Sequence, residues 1–220
     1  MEKTFFDRFL NFLLIALVIA VLGGIGYLGY KYYEKYKINN DAAEFLDNEF
    51  EKYIADKNDD EYDEQGAIDE QGDGSNGPRG IDTDGLKYRG YRVEGKIELP
   101  TVNLRYPVLE EMRDMNELEV SIVIQYGVGL NKPGNTVLAG HNYRSGLFFG
   151  SNKLLNIGDP VYITDTATGQ RVEYKIYQKY TTEEEDTSYF NRNTDGKREI
   201  SLVTCQSNNK YRLVIWAREV

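Results

Sequence analysis

Cysteine and histidine are nearly absent from this chain. Among 220 residues there is one of each, Cys205 and His141. A lone cysteine excludes any intramolecular disulfide, so the fold rests on its core rather than on covalent staples. Positive charge is also short: 26 Lys and Arg stand against 36 Asp and Glu, a formal net charge of -10 that argues against a nucleic-acid partner. The acidity is uneven, with eleven Asp or Glu between Asp56 and Asp84 against Lys57 and Arg79, and the remainder is close to neutral. Charge of either sign is missing altogether from Phe9 to Tyr30. About 20 apolar residues rising ~1.5 Å each cross a hydrocarbon core of roughly 30 Å, so residues 9–30 read as one transmembrane helix after a short segment, 1–8. Tyr27, Tyr30, Tyr32, Tyr33 and Tyr36 cluster at its downstream edge with Lys31, Lys35 and Lys37, as amphipathic rings do at the headgroup layer. Bulky tyrosines where a cleavable leader has small residues, and the length of the run, speak against a signal peptide. Positive charges balance across the span and do not orient it.

Residues 31–55 form a juxtamembrane segment. In it Asn40 is a candidate N-cap, and Ala42, Leu46, Phe50 and Tyr53 make an apolar stripe at helical spacing, suited either to docking on a domain or to acting as a spacer. Residues 56–85 are rich in Gly and acid and poor in apolar side chains. Such a segment cannot offset its ordering entropy by burial and is expected to be a disordered linker. From 86 to 220 the pattern changes to short β-rich runs between turn residues: YRVEGKIELP, LRYPVLEE, NTVLAGH, DPVYITD, RVEYKIYQKY, EISLVTC and YRLVIWARE. Some runs alternate apolar and polar residues and others are apolar throughout, which predicts an all-β domain closed or nearly closed into a barrel. No second membrane anchor is expected.

Three residues could carry chemistry. Cys205 ends an apolar β-run; taken alone it fits a small buried hydrophobe as well as a nucleophile. His141 ends another run, and strand ends are where a rigid barrel presents reactive groups. Arg212 follows Cys205 by seven positions across QSNNK, which reads as a hairpin loop. If the two are directly opposed, their Cβ atoms lie about 5 Å apart on one face, and a slip of one residue puts them on opposite faces. A thiolate is a nucleophile, a neighbouring cation favours it, an imidazole can pass a proton to a departing amine, and a guanidinium can hydrogen-bond an oxyanion. One Cys, one His and one Arg therefore suffice for acyl transfer.

The segment from about Tyr91 to Glu219 resembles a sortase, a membrane-anchored transpeptidase of Gram-positive bacteria. The likeness rests on GKIELPTVNLRYPVLE, on PGNTVLAGHNYRSGLFFGSNKLLNIGDPVYI around the histidine, and on SLVTC followed by YRLVIWARE, where Ser201, Leu202, Thr204, Cys205 and Arg212 match the family's [TS]-L-x-T-C and downstream Arg. The resemblance implies an eight-stranded β-barrel with short helices, Cys205 as nucleophile, His141 as general acid and base, and Arg212 as the oxyanion or substrate-positioning residue. It implies cleavage of an LPXTG-like sorting signal of secreted proteins through a thioacyl intermediate, resolved by an amine of a peptidoglycan precursor or of a pilin lysine. It also implies an amino terminus in the cytoplasm and a catalytic domain outside the cell. The short Cys-to-Arg gap and GHNYRSGLFFG look class B-like, whereas the stretch between KIYQKY and EISLVTC is too short for the long helix usual in that class, so the subclass stays open. The acidic run Glu183 to Asp186 lacks a partner set, because no Asp or Glu occurs from Val120 to Gly140. It reads as a solvated loop, and neither metal nor cofactor is expected. An L,D-transpeptidase fits poorly, since Thr204 precedes and Gln206 follows the cysteine. A non-enzymatic tethered β module with Cys205 merely buried is the remaining alternative.

Overall fold

The computed structural model describes residues 5–66, 85–206 and 210–220. They divide into two compact units, Met1–Asn40 and Asp41–Val220. The first is helical throughout its described part, within helix α1 (Phe5–Phe45), and its large apolar side chains, among them Leu10, Phe12, Ile19 and Leu22, are exposed. By length and composition this helix can cross a membrane.

In the second unit the end of α1 passes through one π-turn, Leu46–Phe50, into α2 (Glu51–Gly66). Helix thus runs through Asn40, which is not an N-cap, and continues beyond Asp56, where the linker was expected to begin. Glu51, Lys52, Lys57, Glu61, Glu64 and Gln65 have good helix propensity and let α2 propagate once its start is docked, against the weaker Asp and Asn among them. The remainder of the expected linker, 67–84, lies outside the described residues. Most of the stripe docks: Ala42, Leu46 and Phe50 are buried together with Phe45 and Ile54, whereas Tyr53 is only half-buried. A strict repeat of four drifts by about 40° per step against a 3.6-residue turn, and the wider π-turn in its middle resets the phase. Polar residues flank the stripe. Asp41 accepts hydrogen bonds from Tyr88 and Arg89, Asp47 from Arg105 at 2.8 Å, and Glu51 from Lys96 at 2.6 Å.

The barrel follows. Its strands are β1 (Lys87–Tyr88), β2 (Tyr91–Leu99), β3 (Leu104–Glu111), β4 (Ile122–Gly127), β5 (Gly134–Ala139), β6 (Pro160–Asp165), β7 (Arg171–Glu183), β8 (Arg198–Gln206) and β9 (Tyr211–Glu219), with a short helix α3 (Asn116–Val120) before β4. Their order is β1-β2-β3-β4-β5-β8-β9-β7-β6, and pairing of β2 with β6 closes the sheet. Eight strands, β2 to β9, therefore make the expected barrel, with the two-residue β1 appended. Closure removes the unpaired edges an open sheet would present. β3–β4 and β5–β8 are parallel and the other pairs antiparallel. Val93, Ile97 and Leu99 of β2 point inward with Val108, Leu138, Ile163, Leu202 and Ile215 into a buried core, while Val137, Val203 and Val214 are buried on the opposite face.

Lys96 shows what the docked helix does to the barrel. It lies on the outer side of β2, where a lysine would normally be solvated, yet it is only 6 % exposed. Its ammonium is held by Glu51 and stands 5.4 Å from the centre of the Phe50 ring. A buried ammonium needs such a partner. Phe50→Ala should therefore cost about 3–5 kcal/mol as a core truncation. Asp47→Ala, which removes an exposed pair, should cost less than about 1 kcal/mol. Urea denaturation of the full chain in detergent, followed by tryptophan fluorescence of the barrel, checks both.

Candidate active site

β8 places Cys205 one residue from its end, and β9 begins at Tyr211. In their antiparallel register Cys205 is directly opposite Arg212 and Val203 opposite Val214. Of the two registers the sequence left open, the opposed one is formed, and the two side chains share a face. On its other flank β8 runs parallel to β5, with Ala139 level with Val203. Two residues further on each strand come His141 and Cys205. Past the last ladder pair the strands are stitched together by the Gly140 amide donating to Val203 O, Thr204 Oγ1 to Gly140 O at 2.6 Å and Asn142 Nδ2 to Cys205 O at 2.6 Å. The threonine preceding the cysteine therefore ties the histidine-bearing segment to the cysteine-bearing strand. Cys205 on β8, Arg212 on β9 and His141 just past the end of β5 therefore lie at the same end of the barrel.

The chain after His141 is tightly folded. An isolated bridge pairs Asn142 with Phe148, and the Phe149 amide donates to His141 O. Phe148 has φ 50°, a conformation side chains rarely adopt, and is held there by full burial and by ring contacts with Tyr106 at 5.1 Å and Tyr143 at 5.8 Å. Burial pushes the Tyr106 phenol up to about 12. Gly150 is required by close approach, since a Cβ there would stand 2.2 Å from Tyr143 O.

Two acids that sequence reasoning passed over touch the site. Nη2 of Arg212, whose side chain is 17 % exposed, donates to Glu184 Oε1 at 2.6 Å. Nε2 of His141 lies 3.1 Å from Glu119 Oε1, in ion-pair range but without hydrogen-bond alignment. Glu184 belongs to the run expected to be a solvated loop; its side chain is exposed, and its carboxylate also pairs with the guanidinium. Asp186 in the same run accepts from Thr182 and Ser188, and these hydrogen bonds hold its carboxyl below the usual carboxylate range.

The connection that carries these acids, 184–197, contains no helix. It is fastened by Arg192. The guanidinium of Arg192 reaches the buried carboxylate of Glu199, donates to Asn135 Oδ1 at 2.8 Å, and lies 4.2 Å from the centre of the Trp216 ring. Tyr177 and Arg218 complete the shell of Glu199, while Asn135 donates to the carbonyls of Tyr189 and Phe190. Tyr189 packs with Val137, Val203 and Val214 beneath the site; burial raises its pKa, and the charge of Arg212 pulls it back down.

A family model described as a sortase domain matches residues 97–220. This chain belongs to the sortase family. It is 32 % identical over 127 residues to sortase A of Bacillus anthracis, covering 56 % of this chain and 58 % of that protein. To sortase A of Listeria monocytogenes it is 29 % identical over 114 residues, covering 51 % and 49 %. The chain thus matches about half of the length of each of these relatives. Among solved structures, sortase A from Corynebacterium diphtheriae superposes with a TM-score of 0.53 at 26 % identity, over 59 % of this chain and 61 % of that one. The closed eight-stranded barrel is the sortase fold.

Fastening of the 184–197 connection should be energetically visible. Arg192→Met removes a cation from a fully buried carboxylate, and such breakage typically costs about 3–5 kcal/mol. We expect this variant to melt well below wild type in calorimetry while Glu184→Gln, which loses only an exposed partner, melts with it.

Proposed function

We propose that this sortase is a cysteine transpeptidase that cleaves an LPXTG-like sorting signal of secreted proteins and joins them to an amine of the cell-wall precursor. Cys205, His141 and Arg212 carry the reaction. The observation that supports this reading above others is the register that sets Cys205 opposite Arg212 on β9 while β5 delivers His141 from the other flank.

The chemistry follows from these groups. The Cys205 thiolate attacks the carbonyl carbon of the scissile Thr–Gly type bond, forming the C–S bond and moving the carbonyl electron pair to oxygen. The Arg212 guanidinium donates hydrogen bonds to that oxyanion. As the C–N bond breaks, protonated His141 gives its proton to the departing amine and is left neutral. A thioacyl-enzyme remains. The acceptor amine then attacks the same carbon, neutral His141 takes its proton, and the thiolate leaves. Glu184 holds Arg212 before substrate arrives, and an oxyanion competes for the same donor.

The apolar helix over 9–30 serves as a single-pass anchor, with the amino terminus in the cytoplasm and the barrel outside, where secreted substrates emerge.

The full chain in detergent, incubated with sorting peptides of LPXTG and NPXTX type and weighed intact, tests the reading. We expect a covalent adduct of the peptide's amino-terminal part in the wild type and none in Cys205→Ala. His141→Ala should lose nearly all turnover. Arg212→Lys should fall well below wild type because the planar fork is lost although the charge remains. Absence of any adduct, with Cys205 inert to methanethiosulfonate, would favour a binding module instead. Wild-type rates in Arg212→Lys would remove Arg212 from its role.

A further inference from the structure

Glu119 stands beside the site with no part in the reaction just described. We propose that Glu119, braced by Tyr143, is a positioning residue for His141: it keeps the proton of the neutral imidazole on Nε2, so that Nδ1 is the nitrogen exchanging protons with thiol and amine. The proposal rests on the acid–base role given to His141 above.

The first argument is placement. Helix α3 has only five residues and cannot hold itself. It is instead pinned from both sides of Glu119. Glu117, 3 % exposed, accepts the backbone amides of Arg113 at 2.9 Å and Asp114 at 3.0 Å. Leu118 is buried, and Ser121 Oγ donates to Pro107 O at 2.5 Å. With its neighbours fixed in the barrel wall, Glu119 is presented to the histidine at a defined place.

The second argument is that one oxygen of the carboxylate is anchored by a hydrogen bond while the other lies beside the imidazole. Oε1 lies 3.1 Å from His141 Nε2, and Oε2 accepts the phenolic proton of Tyr143. The Tyr143 ring itself stands 5.2 Å from the imidazole, so one aromatic residue packs beside the histidine and anchors its acidic neighbour. An ordinary surface contact would lack this anchor.

The third argument is chemical. A carboxylate only accepts, so the tautomer it favours at this distance carries hydrogen on Nε2. Nε2 is turned away from bulk water, and Glu119 Oε1 is the acceptor beside it when charge develops on the ring. Hydrogen bonds of this type often tighten only during turnover.

Because His141 is the chain's one histidine, a long-range proton–nitrogen spectrum of the ¹⁵N-labelled full chain in detergent contains a single imidazole. We expect the Nε2–H pattern in the wild type and a mixture of tautomers in Glu119→Ala, with Tyr143→Phe between them. Transpeptidation should lose about 5-fold in kcat in Glu119→Ala, at a KM within twofold of wild type, a loss smaller than that of a general acid–base itself. The isosteric Glu119→Gln carries the same comparison should the alanine variant fail to fold. An unchanged spectrum, an unchanged kcat, or a change confined to KM would each overturn the proposal. His141→Ala is run beside them: wild-type turnover there would remove the acid–base reading itself, whatever Glu119 does.

Discussion

Everything at the site hangs on how β8 is gripped by its two neighbours. β9 pairs with it antiparallel and β5 parallel, and the ladder pairs Ala139 with Val203 and Cys205 with Arg212 fix which residues emerge together at the barrel's end. A slip of one residue on either side would turn Cys205 away from the guanidinium or move His141 off its level. Both faces of β8 from Ile200 to Thr204 are buried, and a slip would tear the Ser201 hydroxyl from Asn135 Oδ1 and turn it into the barrel interior. Thr204 adds a local lock through its hydroxyl on Gly140 O. Reactive geometry here is a by-product of hydrophobic register.

Around that centre the protein spends charge in two different ways. Below the site, Arg192, Arg218 and Tyr177 saturate the buried carboxylate of Glu199, an arrangement that binds the 184–197 connection to β5 and β8. At the rim, Glu184 and Glu119 are half-exposed and touch Arg212 and His141 from opposite sides. The buried set is structural and would be expensive to break; the rim set is screened, adjustable and suited to groups that must change partners during a reaction.

The short hairpin left two registers open for Cys205 and Arg212, of which the ladder forms the opposed one; the strands flanking the site were readable, because their residues are β-branched and bounded by turns. β4 was not: IVI is only three residues long and abuts the helical ELEV stretch of α3, so its alternation is hidden. The stripe from Ala42 to Phe50 was visible, whereas its burial against β2 was not, since Lys96 gives no apolar signal on the outer face. The two rim acids were missed for a related reason. Glu119 stands one residue before the acid-free stretch from Val120 to Gly140, and Glu184 sits in a charge run whose composition alone favours solvent. Which surface acid meets which catalytic group depends on pairings between residues 22 and 28 positions apart, and no local pattern encodes them.

The central claim is that one end of this barrel holds a nucleophile, an acid–base and an oxyanion donor around one carbonyl. A crystal structure of the full chain with a sorting peptide trapped as a thioacyl or thiohemiacetal adduct would test it most directly. The account predicts a bond from Cys205 Sγ to the peptide carbon, with the carbonyl oxygen about 2.7–3.1 Å from the Arg212 guanidinium in place of Glu184. An adduct whose oxygen points away from Arg212, with the Arg212–Glu184 pair still closed, would contradict it.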